Sequence, residues 1–182
     1  MRHTEKLSSS TRVLLEGAGN LWQHRSKDII YAQGAAANTI FYINEGMVAL
    51  AVSTKNRRVV VAVLGAGSFF NEICLLDHSH CTSTASAITP SSILSIERDE
   101  VSRLLRERNS VSTFLVSRLL SSNLRCCEDL VSALTNSIEQ RLARLLLHLA
   151  RLNAKDRRKL PKITQQVLAE MIAPLAPRPV CL

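Results

Sequence analysis

Between residues 21 and 97 the chain runs in short stretches rich in Val, Ile, Phe and Tyr. Gly, Asn or Pro interrupts these stretches about every 8 to 12 residues, a pattern that predicts an antiparallel β-sandwich or barrel. The predicted strands cover residues 21–25, 29–31, 39–44, 47–53, 58–64, 83–87 and 92–97. Turns are expected at Gln33-Gly34, Asn44-Glu45-Gly46, Lys55-Asn56, Gly65-Ala66-Gly67 and Thr89-Pro90. At several of these places glycine supplies a positive φ without steric cost.

After Glu97 the hydrophobic period changes from two to that of a helix, and residues 101–152 contain neither proline nor glycine. Within this run Val116, Leu120, Asn123, Cys127, Leu130 and Leu134 are spaced alternately by four and three. That spacing forms an a/d seam, with a polar Asn at one inner position, of the kind that pairs with a second copy. A stripe packed on the protein's own β-layer has the same period, so both partners stay open at this point. Ser137-x-x-Gln140 has the form of a capping box and predicts a break between two helices near Asn136. The second helix, 138–152, is amphipathic and leads into a charged connector, 153–159. Thr164 can cap a further helix whose inward face is Val167, Leu168, Met171 and Ile172.

Charge changes this picture at one end. The 182 residues carry a formal charge of +8, and residues 138–182 hold nine Lys or Arg against Glu139, Asp156 and Glu170. An anionic partner such as DNA is suggested there, although a solvated basic helix face has the same composition. No stretch approaches the roughly 20 apolar residues needed to span a bilayer, and no secretory signal is visible before Leu15. A cytoplasmic location is therefore expected. Five cysteines without disulfide-framework spacing agree with a reducing compartment.

The order of these parts, over about residues 21 to 172, resembles the Crp/Fnr superfamily. The carriers are Gly67-Ser68-Phe69-Phe70-Asn71-Glu72-Ile73-Cys74-Leu75-Leu76, similar to the family's G-x-F-F-G-E-x-x-L-L segment, and the Ile43-Asn44-Glu45-Gly46-Met47-Val48 hairpin. Gln140-Arg141-Leu142-Ala143-Arg144-Leu145-Leu146, followed by Ile163-Thr164-Gln165-Gln166-Val167-Leu168-Ala169, resembles the entry into the family's DNA-binding domain. The resemblance implies an α+β chain in three parts. A cyclic-nucleotide-binding-like β-roll (a double-stranded β-helix, or jelly roll) with an N-terminal helix would cover 1–110. A dimerisation helix would cover 111–137, and a truncated winged helix-turn-helix 138–182. It also implies a homodimeric transcription regulator that binds DNA, with no enzymatic activity, no bound cofactor and no membrane segment.

The resemblance implies an effector pocket at Glu72, Asn71, Cys81 and Thr82, closed by Cys126 and Cys127 from the long helix. Two of these depart from the family pattern. Nucleotide-binding members place Gly before the Glu and Arg nine residues after it, because a cyclic phosphate needs backbone amides and a guanidinium. Asn71 and Cys81 stand at those places, so the effector is expected to be a small molecule other than cyclic AMP. The family's iron-sulfur sensors carry an N-terminal cysteine cluster, which residues 1–73 lack. Cys74, His78, His80 and Cys81 gather four metal-ligand types within eight residues, without the spacing of a standard site, and no metal is expected. His80 beside Cys81 suggests a thiol nucleophile, but neighbours in a strand face opposite ways, so no base–nucleophile pair follows.

A family helix-turn-helix would continue past Ile172 into a recognition helix. The chain instead reads Ala173-Pro174-Leu175-Ala176-Pro177-Arg178-Pro179-Val180-Cys181-Leu182, whose three prolines cannot form that helix. DNA reading is thus expected to be impaired by truncation, with a divergent short tail as the alternative. Phosphate contacts would fall to Arg151, Lys155, Arg157, Arg158, Lys159, Lys162, Thr164 and Gln165. A dimerising ligand-binding module without specific DNA binding is the competing function.

Overall fold

The computed structural model describes residues 9–55, 57–152 and 165–172. A helix α1 (Ser9–Gly17) precedes strands β1 (Asn20–His24), β2 (Ile29–Tyr31), β3 (Thr39–Glu45), β4 (Met47–Ser53), β5 (Arg58–Gly65) and β6 (Phe69–Phe70). A 3-10 helix (Glu72–Leu75) then leads to β7 (Thr84–Ala87) and β8 (Ser91–Glu97). Helices α2 (Arg98–Glu107), α3 (Asn109–Thr135), α4 (Ile138–Leu152) and α5 (Gln165–Ile172) follow. The strands form two antiparallel sheets of four, ordered β1-β8-β3-β6 and β2-β7-β4-β5.

Strand alternation sorts side chains into three apolar layers. Between the sheets lie Ile43, Val48, Leu64, Phe70, Ala85 and Ile93. On the outer face of the first sheet, Ile40, Tyr42 and Phe69 meet Leu15, Leu104, Phe114 and Leu115 from α1, α2 and α3. On the outer face of the second, Ala49, Ala51, Val60 and Val63 meet Leu145 and Leu149 of α4 and Leu168 and Met171 of α5. The small Ala49 and Ala51 let the helices come close. At Gly65 a Cβ would lie 2.8 Å from Leu152 Cδ2, so glycine leaves room for that side chain where it stands. Gly46, at φ +92° between β3 and β4, has no room for a side chain either, since a Cβ would meet Ser91 Oγ at 2.2 Å.

The predicted strands all form, with ends that move by a residue or so, and the roll followed by long helices is the expected α+β architecture. The short β6, the 3-10 helix and the break at Arg108 between α2 and α3 escape the periodicity. The break at Asn136 follows the capping box: Ser137 N donates to Gln140 Oε1 at 3.1 Å, and Gln140 N donates to Ser137 Oγ at 3.4 Å.

The stripe on α3 resolves differently along its length. Val111, Phe114 and Leu115 are buried on the roll. Val116, Leu120, Leu130 and Leu134 are 53%, 59%, 54% and 72% exposed, and Asn123 and Cys127 are exposed too. The protein's own β-layer therefore does not cover the seam, which overturns that alternative. Of the predicted inward face of α5, Leu168 and Met171 pack on the second sheet, Val167 is half-buried, and the side chain of Ile172 lies outside the description.

Candidate functional site: a neutral cassette at the mouth of the β-roll

The turn from β6 into the 3-10 helix is set by Asn71, whose φ of 63° and ψ of 33° are left-handed. Asparagine is among the few non-glycine residues that tolerate this region, so the chain keeps a glycine-like turn while adding an amide. That amide is buried and donates from Nδ2 to the Thr39 carbonyl at 2.8 Å. Asn71 and Cys81, the two departures from the family's phosphate pattern, both line one cavity.

A cavity of about 380 Å³ opens beside them, walled by Tyr31, Phe41, Asn71 and Cys81 and edged by Thr39 and Glu97. Two rings of a stack of three, Tyr31 and Phe41, belong to its wall, and the third, Phe70, is buried and does not line it. Tyr31 and Phe41 have centroids 5.6 Å apart, and Phe41 and Phe70 5.1 Å apart. Burial pushes the Cys81 thiol up, with the Asn71 amide pulling the other way. Burial likewise holds the Tyr31 hydroxyl well above the usual phenol range, against a hydrogen bond with Ser83. Both groups stay protonated at neutral pH, and no Lys, Arg or His among the described residues lines the cavity. Nothing there can neutralise a phosphate.

The remaining sequence candidates fall elsewhere. Glu72 opens the 3-10 helix, half-buried, and Thr82 is exposed; neither lines the cavity. Cys126 and Cys127 are exposed on α3 and do not reach it within one chain. Cys74 is buried and its thiol is pushed up to about 11 by desolvation, while His78 and His80 are exposed. Among the described residues no three His, Cys, Asp or Glu side chains group so as to hold a metal. The two residues His80 and Cys81 lie just before β7 and outside any strand, but His80 is exposed and Cys81 buried, so they form no base–nucleophile pair. Sequence reasoning missed Tyr31, Phe41, Thr39 and Glu97. Their signal was an aromatic with a hydroxyl on a short strand that also had to face inward.

Residues 21–108 match the family described as the cyclic nucleotide-binding domain. The chain is 24% identical over 147 residues to the CRP-like cAMP-activated global transcriptional regulator of Mycobacterium tuberculosis, an alignment covering 80% of this chain and 66% of that protein. Residues 21–108 are thus similar to the cyclic nucleotide-binding domain, and the longer chain is similar to a CRP-like regulator. Among solved structures, the c-di-GMP-responsive global regulator CLP of Xanthomonas campestris shares this fold at a TM-score of 0.69, with 16% identity over 90% of this chain and 84% of that one. A CRP-family regulator from Thermus thermophilus shares it at 0.69, with 22% identity over 82% and 75%. The likeness to those structures is one of fold.

The basic C-terminal end is the remaining candidate. Arg151 is exposed in the last turn of α4, and Gln165 is the first residue of α5. Lys155, Arg157, Arg158, Lys159, Lys162 and Thr164 lie outside the described residues, as does the proline-rich 173–182. No helix among the described residues is long and apolar enough to cross a membrane.

Proposed function

We propose that this chain acts in the cytoplasm as a homodimeric DNA-binding transcription regulator, not an enzyme, with a small-molecule effector held at the mouth of the β-roll. The observation that carries the reading is the exposed apolar stripe on α3, which begins at Val116 directly after the buried Leu115 and asks for a second copy. DNA contact is assigned to Arg151, Lys155, Arg157, Arg158, Lys159, Lys162, Thr164 and Gln165, chiefly through phosphates, so binding is weak and not sequence-selective. Cyclic AMP is not the effector.

A gel-shift titration of a long duplex at low and near-physiological salt tests this. Binding should fall steeply with salt, and replacing Arg157, Arg158 and Lys159 by Ala should remove most of it. A complex that survives physiological salt with about 1,000-fold preference over random duplex would reveal base readout this reading lacks. The second reading, a dimerising ligand-binding module without DNA, draws on the packing of α5 against β5 through Leu168, Met171 and the Arg58–Glu170 ion pair. A helix so engaged is not free to meet DNA, and absence of any shift at low salt would favour that reading.

A further inference from the structure

The cavity's electrostatic balance is the reverse of a phosphate site. Glu97 is its charged lining residue among those described, and Glu72 stands close enough to disfavour ionisation of Tyr31. The nearby guanidinium of Arg98 does not line the cavity and is paired with Asp77. The Asn71 amide donates to the Thr39 carbonyl, so that donor is not offered to an anion. What remains accessible is the Tyr31 and Phe41 pair, with a carboxylate at the edge.

An aromatic wall with a negative edge recognises cations, since ring faces attract positive charge and a carboxylate accepts from an ammonium or guanidinium. We infer that the cavity binds a small organic cation, an amine or guanidine carried on a flat apolar body. The inference rests on reading this cavity as the effector site. The volume of about 380 Å³ falls at the small end of the roughly 300–1,000 Å³ range of ligand pockets. Asn71 acquires a role here: it holds the turn in a neutral form, its amide bonded to the Thr39 carbonyl. Because the Glu97 carboxylate is exposed, its contribution is modest and screened by salt.

The test uses three probes of nearly one shape and different charge, titrated calorimetrically into the full chain: 2-phenylethylamine, 2-phenylethanol and phenylacetate. The amine should bind about fivefold or more tighter than the alcohol, phenylacetate should not bind, and Glu97→Gln should erase the amine's advantage while leaving the alcohol's affinity alone. Equal binding of amine and alcohol, or tighter binding of phenylacetate or cyclic AMP, overturns the cation assignment. If such binding is altered by Asn71→Gly, the effector-site reading itself stands. If none of the probes nor cyclic AMP saturates by about 10 mM, both the cation assignment and the effector-site reading fall together.

Discussion

The two halves of α3 carry the same apolar periodicity and meet opposite fates. In the first half, Val111, Phe114 and Leu115 close against the roll, with Phe114 packed edge-on to Phe69 and beneath the Arg118 guanidinium. In the second, Leu120, Leu124, Leu130 and Leu134 stand open to solvent. The difference lies in what the topology puts opposite each half. The roll ends near the β5–β6 turn, where Gly67 approaches Arg118, and the helix simply outruns it. One face of the second half is nevertheless occupied: Ser132 is buried, and its hydroxyl accepts from Asn136 Nδ2 at 2.8 Å where the chain turns into α4.

The largest effect should come from charging the open half. Replacing Leu120 and Leu130 by Asp places unpaired carboxylates in the seam at several kcal/mol of cost, so light scattering should report monomers where the unmodified chain is a dimer. A monomeric parent at tens of micromolar would break the comparison at its root. Leu115→Ala acts on the closed half instead. It should lower the unfolding free energy by about 2–5 kcal/mol, read by urea titration, and leave the subunit stoichiometry of the folded fraction unchanged.

The same contrast shows what was legible beforehand. Turn residues and short β-rich runs located every long strand, because Gly, Asn and Pro punctuate local backbone whatever the tertiary context. The capping box located the α3–α4 break for the same reason. Periodicity alone could not say whether the α3 stripe meets its own roll or another chain, since both impose one spacing. Nor could it show that β4 and β5 are covered on both faces. Met47-Val48-Ala49-Leu50-Ala51-Val52 reads as one apolar run because helices lie over Ala49 and Ala51 while Val48 points inward. In the site, the missing phosphate partners were visible as Asn71 and Cys81. The bond from Asn71 to Thr39, and the aromatic wall beside it, depend on contacts about 10 to 40 residues apart that no local pattern encodes.

A smaller effect, at the junction of roll and helix, concerns the effector. Cyclic AMP should show no calorimetric binding tighter than about 10 μM, roughly −7 kcal/mol, because the cavity offers its phosphate no cation. Tighter binding would show that a second copy of α3 completes a site the single chain does not have. Paired substitution Asn71→Gly with Cys81→Arg sharpens the point by restoring the family's pattern, and affinity for the nucleotide should rise by about tenfold or more.

The smallest effect is a pH dependence located where α3's second half meets α4. His148 Nε2 donates to the Val63 carbonyl at 3.2 Å, half-buried between α4 and β5. Burial holds its imidazole below the ordinary value; the Val63 carbonyl and Asp129 oppose this, and Arg125 and Arg151 reinforce it. A base with a lower pKa folded than unfolded takes up its proton first in the unfolded chain. Stability is therefore whole above the unfolded value of about 6.5 and declines as pH falls below it, toward the folded value. His148→Gln keeps a polar group near Val63 without the titration. Urea midpoints at about pH 7.5 and pH 5.5 should fall further for the parent than for this variant. An equal fall in both would place the acid sensitivity elsewhere, and an opposite change would mean that Asp129 outweighs burial at this site.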